Sequence, residues 1–138
     1  MENKALLKDC CDQMGVTLTD AQAEQFMTYL SLLLEWNEKM NLTAITEHRD
    51  VVLKHFADCL SLVPHVKWNA GMKVIDVGTG AGFPGVPILI AGENLNVTLF
   101  DAVNKKLDFI RHLINELGLK ADIVHIRAED AGKMPEYR

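Results

Sequence analysis

The chain has 138 residues, enough for one domain with a moderate core, and its 49% hydrophobic and 24% charged residues are ordinary for a globular protein. A net charge of −5 gives no global basicity, although a local patch can still bind phosphates. The three cysteines and five histidines form no metal-ligand spacing, and no apolar run is long enough for a signal peptide or a membrane span. We therefore expect a cytoplasmic protein with reduced thiols, no metal and no membrane attachment.

The first part of the sequence is expected to be helical throughout. Apolar residues at helical spacing predict three helices, over residues 2–14, about 19–38 and 46–62. Thr19 and Gln22 form a capping box at the start of the second helix. Thr46 is the expected N-cap of the third helix, and Pro64 ends it. These helices make up a predicted N-terminal segment, residues 1–66.

The pattern changes after Pro64. Strand-like runs then alternate with helical ones, with strands over Val74–Val77, Asn96–Asp101 and Ile123–Ile126 and helices over residues 86–91 and about 105–117. This alternation predicts βαβ units with a parallel sheet, an α/β domain over residues 67–138. Doubly wound sheets normally have five or more strands and only three are present, so we expect an incomplete Rossmann-like fold, part of a longer protein.

A glycine-rich loop follows the first strand. Glycines at 78, 80, 82 and 85 would let backbone N–H groups approach a ligand at the strand's carboxyl end, where open α/β sheets place ligands. A dinucleotide fingerprint requires glycine at position 83, where this chain has Phe83. The spacing Gly78-x-Gly80-x-Gly82 is the one found in S-adenosylmethionine (SAM) methyltransferases. The loop therefore predicts SAM as the cofactor.

Acidic residues lie at the ends of the first two strands and in the loop after the third. Asp76 could orient the loop or face the amino group of the cofactor, or it could be a strand-end aspartate that only hydrogen-bonds loop amides. Asp101, nineteen residues after Gly82, is at the distance of an acid that binds ribose hydroxyls, but it could also favour the start of the next helix. Glu129 and Asp130 follow the third strand and, taken alone, indicate a solvated loop.

Two further groups of residues have open interpretations. His55 lies on the inward side of its helix beside Asp58, where a structural histidine is favoured over a catalytic one. Four basic residues flank the turn at residues 41–43: Lys39, His48, Arg49 and Lys54. They form either a phosphate-binding patch or a solvated face, and the charge count favours the solvated face.

Three segments together resemble the RsmG family, also called GidB, of bacterial ribosomal RNA small-subunit methyltransferases. Residues 36–45, Trp-Asn-Glu-Lys-Met-Asn-Leu-Thr-Ala-Ile, are similar to its W-N-x-x-x-N-L-T signature. Residues 55–60 are similar to its H-x-x-D-S-L, with Cys59 in place of serine. Residues 76–85 resemble its cofactor loop, and the Phe-Pro-Gly at 83–85 is more specific than the glycines. The resemblance covers residues of roughly 20 to 138 and includes Arg127-Ala128-Glu129.

The resemblance implies transfer of a methyl group from SAM to N7 of a guanine in 16S ribosomal RNA, free or in a small-subunit particle, by a monomer. The residues that would bind the cofactor are Gly78, Gly80 and Phe83 of the loop, Asp101 near the ribose, and Ala128 and Glu129 near the adenine. No catalytic residue is assigned, since N7 has no proton to remove. The family's next strand and the arginine after it would lie beyond Arg138, so a chain ending there is expected to bind SAM weakly.

Two alternatives remain open at this point. The chain could be a SAM-dependent methyltransferase of small molecules or proteins, because a fold does not fix its substrate. It could also be a non-catalytic nucleotide-binding module.

Overall fold

The computed structural model describes residues 2–92, 94–127 and 130. Three helices precede the sheet. They are α1 (Asn3–Met14), α2 (Asp20–Asn37) and α3, which runs from residue 48 to 60 in three consecutive parts, α-helical His48–Asp50, π-helical Val51–Ala57 and α-helical Asp58–Leu60. A 3-10 turn at Val63–His65 follows. The remaining elements are β1 (Lys73–Val77), α4 (Gly85–Ala91), β2 (Asn96–Asp101), α5 (Asn104–Leu117) and β3 (Asp122–His125).

The three strands form one parallel sheet in the order β1-β2-β3. Val77 of β1 pairs with Phe100 of β2, and Asp101 of β2 pairs with His125 of β3. The carboxyl ends of all three strands therefore meet at one edge of the sheet, the edge that carries ligands in open α/β folds. The predicted α/β architecture, three parallel strands preceded by helices, is confirmed.

The capping box that begins α2 is present as predicted. The Thr19 hydroxyl oxygen accepts a hydrogen bond from the Gln22 amide at 3.1 Å, and the Gln22 side-chain oxygen accepts one from the Thr19 amide at 2.8 Å. Two backbone donors that the helix itself cannot satisfy thus find partners.

The start of α3 was wrong in the sequence prediction. The helix begins at His48, and the residue before it, Glu47, makes no side-chain capping bond. Thr46 is not the cap because the chain is still held in the preceding turn. The hydroxyl oxygen of Thr43 accepts the Ile45 amide at 3.1 Å, and Glu47 keeps an extended conformation with ψ 132°.

Helix α2 ties the N-terminal helices to the helices of the α/β part. Its Gln22 side-chain amide donates to the carbonyl of Ile90 near the end of α4 at 3.1 Å. Its Gln25 side-chain amide donates to the carbonyl of Leu117, the last residue of α5, at 2.9 Å. The last carbonyls of a helix have no partner within that helix, so each bond satisfies a partly buried carbonyl at a helix end.

A single cluster of buried side chains extends through both parts of the chain. It includes fully buried side chains from α1, α2, α3, β2 and α5, namely Leu7, Phe26, Phe56, Leu99 and Leu113. The division into residues 1–66 and 67–138 stays a prediction. Within the described ranges, no helix has both the length and the apolar character needed to cross a membrane.

Strand β1 is covered on one face only. Val74 packs against the core and Asp76 is buried, whereas Ile75 and Val77 are 37% and 51% exposed. This alternation follows from the two-residue period of a strand. The buried face of β1 therefore directs Asp76 toward the loop that follows.

We predict that Gln25→Ala lowers the free energy of unfolding by about 1 kcal/mol, because the Leu117 carbonyl loses its donor while partly buried. The measurement is urea unfolding of the full-length protein. Gln13→Ala is the matched control, since the exposed Gln13 amide bonds only the Asp9 side chain within its own helix. Equal losses in the two variants would contradict the prediction.

Candidate functional site

The glycine loop runs from Gly78 to Gly85 and lies over the carboxyl end of β2. The amides of Gly78 and Thr79 donate to the Phe100 carbonyl at 3.0 and 2.8 Å. The Gly80 amide donates to Oδ2 of Asp101 at 2.8 Å. Gly80 and Asp101, two of the residues predicted to bind the cofactor, are thus in direct contact.

Two of the glycines keep the surface of the loop open. Gly78 and Gly80 have left-handed φ angles of 73° and 55°, and a Cβ added at either would meet no atom within 4 Å. A side chain at these positions would be strained and would fill the space beside the strand ends. The glycines here leave room for a ligand to approach the backbone.

The other two glycines have a packing role. A Cβ at Gly82 would lie 2.5 Å from the hydroxyl oxygen of Tyr29, and one at Gly85 would lie 2.5 Å from Cδ2 of Leu99. The loop backbone therefore packs closely against α2 at Gly82 and against β2 at Gly85. From sequence spacing alone, all four glycines were expected to let a ligand approach the backbone.

The loop amides are engaged within the protein, which differs from the expected approach of free N–H groups to a ligand. Besides the bonds to Phe100 and Asp101, the amides of Gly82 and Phe83 donate to the Thr79 carbonyl at 2.8 and 3.1 Å. What these residues offer a ligand is close contact with a pre-formed backbone surface.

Asp76 orients the loop. Its Oδ2 accepts hydrogen bonds from the Thr79 hydroxyl at 2.7 Å and from the Gly85 amide at 3.0 Å, so one oxygen holds both ends of the loop. Burial raises the pKa of the Asp76 carboxyl, although these two bonds oppose the shift. Of the interpretations left open by the sequence, these contacts match a strand-end aspartate that hydrogen-bonds the loop and so orients it.

Asp101 fixes the loop and the start of α5 together. While Oδ2 accepts the Gly80 amide, Oδ1 accepts the Val103 amide at 2.8 Å, just before α5 begins. The side chain is buried, and it lies at the open edge formed by Gly78 and Gly80. The carboxylate is thus held in one orientation at this edge.

Tyr29 is the residue of this region that sequence reasoning missed. Helical spacing makes it one apolar position of α2 among others, but its hydroxyl donates to the Ala81 carbonyl at 2.6 Å, and the side chain is fully buried. Burial raises the pKa of the Tyr29 hydroxyl, which therefore stays a donor. The close approach of Gly82 to the same hydroxyl could not be read from helical spacing.

The ring of Phe83 lies among aromatic side chains of the helices. It stacks on Tyr29 with ring centroids 5.5 Å apart and on His55 at 4.3 Å, with planes inclined by 15° and 11°. Any contact of Phe83 with a ligand in the open edge would therefore involve mainly its backbone.

The three signature segments form one chain of contacts. The side-chain oxygen of Asn37 accepts the amides of Leu42 and Thr43 at 2.7 and 2.9 Å, which shapes the turn after α2. The Thr43 hydroxyl lies 2.8 Å from Nε2 of His55, and His55 stacks on Phe83. Residues far apart in sequence thus support the same loop, and His55 has the structural position that the sequence favoured.

The remaining candidates are located as follows. Ala128 and Glu129 lie outside the described residues, so their predicted contacts with adenine stay predictions. The four basic residues near the turn, Lys39, His48, Arg49 and Lys54, are all exposed. In residues 2–92, 94–127 and 130, no group of three or more His, Cys, Asp or Glu side chains is arranged to hold a metal ion.

Burial lowers the pKa of the His55 imidazole below its usual value of 6.5, and the neighbouring Asp58 carboxylate opposes the shift. The unfolded chain then binds more protons at this site near and below pH 6.5, so stability falls as the pH falls through that range. We predict that His55→Gln reduces the pH dependence of the unfolding free energy between about pH 5 and 7. The exposed His125→Gln is the control, and an unchanged slope in His55→Gln would contradict the prediction.

Known proteins with a similar sequence support the resemblance noted above. The family model described as rRNA small subunit methyltransferase G, GidB, matches residues 22–138. Proteins named ribosomal RNA small subunit methyltransferase G are 47% identical to the chain in Alkaliphilus metalliredigens, over 100% of the chain and 58% of the relative, and in Clostridium perfringens strain 13, over 96% and 56%. The match in Thermoanaerobacter sp. strain X514 is also 47% identical, over 100% of the chain and 59% of the relative.

The chain thus spans a little more than half the length of these relatives. The match covers the signature turn, helix α3 and the glycine loop, which are the segments joined by the contacts of Asn37, Thr43 and His55. The chain belongs to the GidB family of rRNA small subunit methyltransferase G.

Proposed function

We propose that the protein containing this chain transfers a methyl group from SAM to N7 of a guanine in 16S ribosomal RNA. The observation that carries the proposal is the open edge formed by Gly78, Gly80 and the Asp101 carboxylate, at the carboxyl ends of the strands. The relatives named for ribosomal RNA methylation support the choice of reaction and substrate. We also propose that the protein acts as a monomer in the cytoplasm.

The residues at this edge fit the adenosine part of SAM. Gly78 and Gly80 provide a surface without side chains, against which a ligand can lie in contact with the backbone. Asp101 presents two carboxylate oxygens, which are acceptors for ribose hydroxyls. Since both oxygens already accept backbone amides, the carboxylate is oriented before a ligand arrives. In our proposal Ala128 and Glu129 complete the site around the adenine.

The chemistry requires little from the protein beyond orientation. SAM supplies a methyl group on a positively charged sulfur, and the lone pair of N7 forms the new bond while the electron pair of the broken bond stays on sulfur. No proton moves, so no general base is needed. Holding the base in line with the methyl group would provide most of the acceleration. The charge moves onto the purine, which negative groups such as Asp76 and Asp101 favour.

The contact chain from α2 to the loop supports this role. Tyr29 holds the Ala81 carbonyl and Asp76 holds both ends of the loop, so the surface at Gly78 and Gly80 is pre-formed. A rigid surface reduces the entropy lost on binding. On the RNA side, exposed Arg49 and Lys54 of α3 are available for phosphate contacts.

The function is tested in cells that lack the gene. We expect their 16S ribosomal RNA to lose one N7-methylguanine, measured by mass spectrometry of nuclease fragments, and the full-length gene to restore it. The cofactor is tested by calorimetry of the full-length protein with SAM, S-adenosylhomocysteine and NAD. An unchanged content of N7-methylguanine, or tighter binding of NAD, would refute the proposal.

We predict that Asp101→Asn weakens S-adenosylhomocysteine binding to the full-length protein by roughly tenfold to a hundredfold, because an amide replaces a carboxylate that would accept from the ribose. The measurement is calorimetric titration, with the thermal midpoint recorded to verify folding. Asp122→Asn is the matched control, since Asp122 is exposed at the opposite end of its strand. Similar affinities in the two variants would contradict the ribose contact.

A further inference from the structure

A cavity of about 370 Å³ lies between α3 and the end of the glycine loop, within the size range of small-molecule sites. Phe83 and Pro84 form its wall on the loop side. Through these two residues the cavity adjoins the glycine loop, and none of Gly78, Gly80 and Asp101 lines it. On the α3 side, its lining includes Lys54, His55, Asp58, Ser61 and Leu62.

The carboxylate of Asp58 has no structural task that the contacts reveal. Asp58 is exposed, and within residues 2–92, 94–127 and 130 its carboxylate oxygens accept no hydrogen bond and join no ion pair. The Ser61 hydroxyl donates to the backbone carbonyl of Asp58 at 2.5 Å, so its oxygen can still accept from a ligand. Two acceptors with unused capacity thus lie in one wall of the cavity.

Lys54 provides a cation in the same cavity. Its side chain is 63% exposed, and its partner Asp50 is 3.9 Å away, at the limit of an ion pair. Such a pair at the surface contributes little and leaves the ammonium available. Lysine is a point charge suited to a phosphate group.

The wall also contains apolar surface. Leu62 is 44% exposed, and Pro84 lies on the loop side of the cavity. The aromatic side chains nearby are already stacked, His55 on Phe83. A flat ring that enters here would contact Leu62 and Pro84 with its face, while Asp58 and Ser61 remain available to its polar edge.

We propose that this cavity binds the guanine to be methylated, with the Asp58 carboxylate accepting hydrogen bonds from its N1–H and its N2 amino group. The inference rests on the proposed function and adds a substrate site to it. Among the four RNA bases, only guanine has two adjacent donors on its Watson–Crick edge. Adenine and cytosine pair a donor with an acceptor there, and uracil has one donor between two acceptors. A carboxylate with two free oxygens therefore selects guanine.

This orientation suits the reaction. Enzymes that modify a base commonly read its Watson–Crick edge once the base has left its stack. With that edge held by Asp58, N7 remains free on the opposite edge of the purine. Lys54 would contact a phosphate of the same nucleotide or of its neighbour.

The form of α3 is a further observation in favour of a site here. Residues Val51–Ala57 are π-helical, and Asp58 follows directly. π-Helical turns are rare and occur frequently at functional sites. Lys54 lies within the π-helical part and Asp58 is the residue directly after it, so the two charged groups of the cavity lie in and next to this segment.

The test compares 5′-GMP with 5′-IMP, which lacks only the N2 amino group, by calorimetric titration of the full-length protein saturated with S-adenosylhomocysteine. We expect the wild type to bind GMP roughly tenfold more tightly than IMP, and Asp58→Asn to lose this preference. Affinity for S-adenosylhomocysteine should not change in the variant. Methylation of ribosomal RNA, as kcat/KM, should fall by roughly tenfold to a hundredfold.

Asp12→Asn is the matched control, because it removes one exposed negative charge from α1 and should behave as the wild type in each measurement. Asp58→Asn with wild-type GMP preference would overturn the guanine site, as would equal binding of GMP and IMP by the wild type. If the wild type methylates no ribosomal RNA, the proposed function fails, and the GMP and IMP titrations still decide the site.

Discussion

The hydrogen bond from the Tyr29 hydroxyl to the Ala81 carbonyl is the constraint on which the rest of the site depends. It fixes the glycine loop to a fully buried side chain of α2, and the close approach requires a residue without a side chain at position 82. Asp76 then holds the two ends of the loop, and Asp101 ties it to the end of β2. Because these bonds are buried or partly buried, they hold the loop in this conformation without a ligand.

The sequence motifs of this family contact one another in the structure. In the first motif, Asn37 shapes the turn that contains Thr43. Thr43 positions His55 of the second motif, and His55 stacks on Phe83 of the loop. Residues that look like separate signatures therefore support one surface. The second motif also contributes Asp58, which lines the cavity between α3 and the loop together with His55 and Phe83.

Periodicity and capping predicted most of the fold, because they depend on neighbours in sequence. The capping box of Thr19, the strand Asn96–Asp101 and the α/β alternation needed only local information. The start of α3 was not predicted correctly, because the Thr43 hydroxyl, and not Thr46, makes the capping-type bond in the turn before the helix. Likewise, Asp101 could be assigned to the site by its distance from the loop, whereas Tyr29 could not, since its role depends on a contact across 52 residues.

The glutamine bonds from α2 have a consequence for synthesis of the protein. Gln25 is made 92 residues before Leu117, the residue whose carbonyl it satisfies, and Gln22 is made 68 residues before Ile90. On the ribosome, α2 is made before α4 and α5, so these two bonds can form only after the later helices have been synthesised. Since loop closure over such separations is slow, the part of α2 that packs on α4 and α5 stays uncovered for some time during translation.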